Sequence, residues 1–281
     1  MRATSALAVI AALTGSMAFS RCCAEQQAVS PAEIVQIPVS QLPFILRGFL
    51  RRSEGTGRSP AVVLLPHCGR YAKAVDEDWG ARMSSWGYVT LTIDSFSPRG
   101  IKDCSAGTNT DYSDPAFDAY RGLNFLIQGR FADPKRTAIV GFAAGALQTL
   151  SAVERGAIEK ASEHKFRAAA AFYPFCGSFG GTMTIPTLVL VGERDDWATA
   201  DACRKMAAGE DDVGISRQKG EGVPVRFIVY PGAHYGFDLP TLRTPTKYLG
   251  HHLELNKSDA DQSSEALREF LHSTFAAANN Q

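Results

Sequence analysis

Apolar residues along this chain fall into short continuous runs and helical stripes that alternate from residue 31 onward. Ile34 to Val39 and Phe44 to Arg51 predict an opening antiparallel pair of strands. Ala61 to Leu65 is apolar throughout, as expected of a strand covered on both faces. A helical stretch from Val75 to Trp86, closed by Gly87, separates it from the next strand, Tyr88 to Ile93. Asp94 to Gly100 is dense in turn residues. Asp114-Pro115 then opens a helix with a capping acid and a proline in its first turn. The apolar face of that helix is expected to carry Phe117, Tyr120, Leu123, Phe125 and Leu126. Thr137 to Val140 predicts a strand and Ala144 to Val153 a helix. Strands follow at Phe166 to Tyr173, Thr187 to Val191 and Val225 to Tyr230, with a helix near Ala200 to Ala208 between the last two. Ala266, Leu267, Phe270, Leu271 and Phe275 recur at helical spacing and close the chain with an amphipathic helix. This alternation predicts one α/β domain over residues 31–281, a mostly parallel central sheet with helices on both faces. Sites in such sheets form at the carboxyl ends of the strands.

The first two dozen residues stand outside the alternation. Arg2 precedes an apolar run from Ala6 to Phe19 broken only by Thr14, Gly15 and Ser16, with small residues after it. That pattern predicts a secretory signal peptide over residues 1–24, cleaved after Ala18 or Ala24. The run is short for a bilayer span, and Arg21 beside Cys22 departs from a lipoprotein context. The expectation is an exported protein, periplasmic or extracellular, with no membrane attachment after cleavage. The chain carries 29 basic and 29 acidic residues. That balance gives no electrostatic footprint for nucleic acid.

Export changes the meaning of the cysteines, because disulfides persist outside the reducing cytosol. Cys68 and Cys104 each follow a predicted strand, and Cys176 and Cys203 flank another, so the favoured pairs are Cys68–Cys104 and Cys176–Cys203. Buried free thiols are the alternative. Neither a C-x-x-C motif nor a paired-histidine spacing accompanies them, and His251-His252 has no partner at ligand spacing, so no metal and no cofactor are expected.

Three strand ends carry candidate chemistry. Gly141-Phe142-Ala143-Ala144-Gly145 has the glycines, preceding strand and following helix of a G-x-S-x-G nucleophile elbow, with Ala143 at the central position. Asp195 follows the strand ending at Val191, and Asp196 beside it can cap the next helix. His234 lies in the loop after the last strand. The order nucleophile position, acid, histidine is that of α/β-hydrolases. In such a site the histidine takes the nucleophile's proton while the acid fixes its tautomer. A methyl group at 143 cannot attack a carbonyl.

From about residue 31 onward the chain resembles the dienelactone hydrolase family of the α/β-hydrolase superfamily. Leu64-Leu65-Pro66-His67-Cys68-Gly69 is similar to the family's H-G-C-G-type oxyanion loop, with Pro66 and His67 departing from the usual His-Gly. Asp118-Ala119-Tyr120 and Asp133-Pro134-Lys135-Arg136 match its lead-in to the elbow, and Tyr230 to Phe237 matches its histidine loop. The resemblance implies an esterase or lactonase of small-molecule esters acting through an acyl intermediate. It implies Ala143 in the nucleophile's place, Asp195 as acid and His234 as base, with oxyanion donors from the backbone of Cys68 and Ala144. Arg99 is placed to hold a substrate carboxylate or to satisfy loop carbonyls. Tyr173, Trp197 and Tyr235 line the pocket or pack as ordinary aromatics, and His67 reads as a locally hydrogen-bonded loop residue.

Three meanings of Ala143 stay open: a deliberate replacement, a natural non-catalytic homologue, or an enzyme with another mode of attack. The elbow's central residue is expected at positive φ, which strains a residue with a Cβ by about 1–3 kcal/mol.

Overall fold

The computed structural model describes residues 31–39, 44–52, 57–102, 113–209 and 221–278. The alternating pattern becomes an eight-stranded sheet: β1 Glu33–Ile37, β2 Leu46–Arg51, β3 Ser59–Leu65, β4 Val89–Asp94, β5 Ala132–Phe142, β6 Ala168–Phe172, β7 Thr187–Gly192 and β8 Val225–Tyr230. Their spatial order is β1-β2-β4-β3-β5-β6-β7-β8. β2 pairs antiparallel with both β1 and β4, and every neighbour from β4 onward is parallel. The expected signal peptide lies outside the described residues, and none of the helices described is long and apolar enough to cross a membrane.

The helices are α1 Ala72–Val75, α2 Ala81–Ser85, α3 Ser113–Gln128, α4 Ala144–Val153, α5 Ala157–Lys160, α6 Ala200–Ala208 and α7 Lys257–Ala278. The single helix expected from 75 to 86 is α1 and α2 joined by a π turn, Asp76–Gly80. Within that turn the buried Asp76 carboxylate accepts from Arg51 Nη2 at 2.7 Å. A Cβ on Gly80 would lie 2.7 Å from Asp76 Oδ1, so the glycine leaves room for that ion pair.

Period-two alternation explains why β3 reads as one continuous apolar run. Val62 and Leu64 belong to one hydrophobic cluster, and Ala61, Val63 and Leu65 to the other. α3 and α4 contribute to the second, and α7 caps the first with Leu267, Phe270, Leu271 and Phe275. The expected face of α3 needs correction. Its buried apolar side chains include Ala116, Ala119, Tyr120, Leu123, Leu126 and Ile127, while Phe117 and Phe125 are half-buried at its margins. Small residues face the sheet because Gly122 approaches it closely: a Cβ there would meet Ile93 at 2.4 Å.

One element has no counterpart in the sequence reading. β9 Thr246–Tyr248 and β10 His251–Leu253 form an antiparallel hairpin between the histidine loop and α7. Leu249 and Gly250, with φ of 51° and 89°, make its two-residue turn. The strands are three residues each, β9 exposed and β10 half-buried before Leu253, so they are too short to show the apolar alternation that marks a strand.

Candidate active site

β5 delivers the elbow. Ala143 has φ 55° and ψ −116°, and α4 begins at the next residue. A Cβ on Gly141 would sit 2.1 Å from the carbonyl oxygen of Gly145, so strand and helix meet too closely there for any side chain. A Cβ on Gly145 would sit 2.1 Å from the carbonyl oxygen of Leu65 and 2.6 Å from that of Pro66. Both glycines are therefore required by close backbone approach. The elbow conformation is complete, and Ala143 is buried at its centre.

The contact at Gly145 also sets the loop after β3, which carries Cys68, beside the start of α4. Ala144 is the first residue of that helix, where backbone N–H groups have no intrahelical acceptor. Cys68 is disulfide-bonded, and Cys104, its expected partner, lies outside the described residues. The second expected disulfide, Cys176–Cys203, is formed and ties the turn after β6 to α6.

His67 in the same loop is not held locally. Its Nε2 lies 3.0 Å from the hydroxyl of Tyr173, 106 residues away. That hydroxyl donates to Asp238 Oδ1 at 2.8 Å, and Trp79 Nε1 donates to Asp238 Oδ2 at 2.8 Å. Because the phenol proton is committed to Asp238, His67 Nε2–H is the donor to Tyr173, and Nδ1 carries the lone pair. Burial lowers the His67 pKa to about 4 and raises that of Asp238 to about 6. Neutral imidazole, phenol and carboxylate thus form one buried chain beneath the elbow, where His67 also stacks on Phe142 at 5.8 Å.

The acid turn and the histidine loop are stitched together by backbone. Arg194 N donates to the Ala233 carbonyl at 2.9 Å, and a Cβ on Gly192 would lie 2.2 Å from that same oxygen. Asp195 is buried, and its Oδ1 accepts from the backbone N–H groups of Trp197 and Ala198 at 2.9 and 2.7 Å. Burial raises its pKa to about 7 despite those two donors. Its Oδ2 is buried without a partner, and so is His234 Nδ1, so the two do not hydrogen-bond to each other. His234 instead stacks on His252, ring centroids 4.0 Å apart. Its pKa is lowered, first by burial and then by the neighbouring His252. Asp196 accepts from the backbone N–H of His252 at 3.2 Å and so anchors β10 rather than capping α6.

Of the remaining candidates, Arg99 is taken up by the fold. Its Nη1 donates to the Ser95 carbonyl and to Asp118 Oδ2, both at 2.6 Å, and Asp118 is wholly buried. Tyr173 is fully buried and packs on Tyr235, which packs on Trp197, with ring centroids 4.9 and 4.8 Å apart. Trp197 also stacks flat on His251 at 4.9 Å. Asp238, Trp79, His252 and Glu254 were not among the candidates; Asp238 meets Trp79 and Tyr173 across 159 and 65 residues, and His252 meets His234 through the hairpin. Asp238 had one available signal, an acid four residues after His234 in an otherwise apolar loop.

No family model matches the chain. Lipase 1 of Moraxella sp. (strain TA144) is 29% identical over 169 residues, 56% of this chain. The chain thus spans about half that relative's length, 46%. Solved structures align over most of the molecule. A Klebsiella pneumoniae structure assigned as a dienelactone hydrolase has TM-score 0.64 at 15% identity, covering 86% of this chain and 98% of its own. A dienelactone hydrolase-like promiscuous phosphotriesterase from metagenomic libraries gives 0.65 at 16%, covering 87% and 99%. A propionate-bound thermophilic esterase of Thermogutta terrifontis gives 0.62 at 16%, covering 86% and 94%. By strand order, elbow and these likenesses, the chain has the α/β-hydrolase fold, the fold of dienelactone hydrolase-like and esterase structures.

Proposed function

We propose that this chain is an exported carboxylic ester or lactone hydrolase of the dienelactone hydrolase type whose nucleophile position is filled by alanine, so that it is inert or very weak as written. The observation that carries this is Ala143 at φ 55° on the turn between β5 and α4. Such a conformation strains any residue with a Cβ and is the one that presents the nucleophile in an elbow of this kind. The reading is supported by Asp195 following β7 and His234 following β8, in the chain order of acid then base. A substrate would be a small-molecule ester, as suits the esterases of this fold. Losing a triad nucleophile leaves only about 10³–10⁴-fold acceleration over water from binding and the oxyanion donors.

The second reading is a natural non-catalytic homologue that binds a ligand in the old cleft. The aromatic pair of Tyr235, adjacent in sequence to His234, and Trp197, near Asp195, packed on each other, favours it. The two readings separate on Ala143→Ser. A solved esterase of this fold, from Thermogutta terrifontis, is phosphoramylated by tabun, so the hydrolase reading expects the variant to gain a covalent adduct at position 143 with an organophosphate, read by intact mass. A variant that stays unlabelled overturns it.

A further inference from the structure

We propose that His234, His252 and Glu254 form a binding site for a divalent transition-metal ion of the zinc class. The site follows from strand register. Tyr235 and Leu253 are joined by a parallel β-bridge, which sets His234 beside His252 and brings Glu254 one pleat further along. Tyr235 and Leu253 turn inward and are buried. Alternation then places His234, His252 and Glu254 together on the other face, each half-buried. One donor atom from each residue lies within 4.8 Å of the others, and His252 Nε2 is 2.9 Å from Glu254 Oε2.

The donor chemistry selects the ion. Two imidazoles and one carboxylate suit zinc and its neighbours, whereas calcium and magnesium take oxygen ligands. A tetrahedral ion with bonds of about 2.0–2.2 Å needs donors roughly 3.4 Å apart. The widest separation must close by up to about 1.4 Å, within reach of rotations of half-exposed side chains. Two neutral imidazoles and one carboxylate leave the bound ion one net positive charge. Asp196 lies against the same strand, 3.5 Å from His251 Nδ1, and offsets part of it. Three protein ligands leave a position open to water, as in catalytic rather than structural zinc sites. His252 showed no metal partner in the sequence because His234 reaches it only through a bridge between segments 18 residues apart. The proposal does not depend on the hydrolase reading.

Calorimetric titration of zinc into the full chain, stripped with EDTA and exchanged into chelator-free buffer, tests it. The site predicts saturable uptake of a single zinc per chain, weakened about tenfold or more by His252→Ala and by Glu254→Gln. His272→Ala, which removes an exposed histidine of α7, leaves uptake unchanged. Glu254→Gln keeps side-chain shape at a half-exposed position, so it reads the ligand role even where His252→Ala disturbs the hairpin. No uptake, or uptake indifferent to both substitutions, overturns the proposal.

Discussion

Asp195 Oδ2 and His234 Nδ1 are both buried, and neither has a hydrogen-bond partner. In a working triad these two atoms bond to each other and fix the imidazole for proton transfer. A buried polar atom left unpaired costs about 1–3 kcal/mol. The acid has its other oxygen secured by two backbone donors, so it is held in position while its free oxygen has no partner. With a methyl group at 143 no hydroxyl engages the imidazole, and His234 rests on His252 instead.

The strain at the elbow is open to measurement. Ala143 holds φ 55° with ψ −116°, a region glycine enters at no steric cost. Ala143→Gly should therefore stabilise the chain by about 1 kcal/mol. Release of about 1–3 kcal/mol of strain is partly offset by glycine's larger unfolded-state entropy. Denaturant unfolding reads this as a higher midpoint with unchanged slope. An unchanged or lower midpoint would mean that the elbow is unstrained.

The raised pKa of Asp195 predicts how stability depends on pH. A carboxyl that titrates near 3.8 unfolded and about 7 folded takes up a proton on folding between those values. Its contribution is fully present below about pH 4, is lost as pH rises to about 7, and stays constant above. Asp195→Asn removes this dependence. The stability difference between variant and parent should grow in the variant's favour by a few kcal/mol from pH 4 to 7. A flat difference across that range would show that Asp195 is ionised in the fold.

Arg99 and Asp118 supply a separate test of the pocket. Asp118 is wholly buried and receives Arg99 and Arg121. Asp118→Asn removes the wholly buried charge that Arg99 and Arg121 share and should cost about 3–5 kcal/mol in thermal or denaturant unfolding. A loss below about 1 kcal/mol would show that this ion-pair network contributes little to the fold.

Much of this architecture was legible in the sequence because the signals were local. α4 runs over the residues its pattern marked, and the buried strands β3 and β7 were visible as unbroken apolar runs. The two glycines of the elbow and the Cys176–Cys203 pair could also be read, since each depends on residues near a strand end. What escaped was whatever distant segments build together. The chain from His67 through Tyr173 to Asp238 spans three loops. The β9–β10 hairpin is too short and exposed to show a period, yet it brings His252 to His234. Arg99 was ambiguous for the same reason, because its partner Asp118 lies 19 residues away on α3.

The central claim is that the hydroxyl missing at position 143 accounts for the lack of activity proposed for this site. It is tested most directly by the steady-state hydrolysis of a simple aryl ester by Ala143→Ser, measured with a chelator present and compared with the parent chain. The account predicts clear turnover in the variant, lost again on adding His234→Ala, and little in the parent. A correctly folded Ala143→Ser protein as inert as the parent would contradict it.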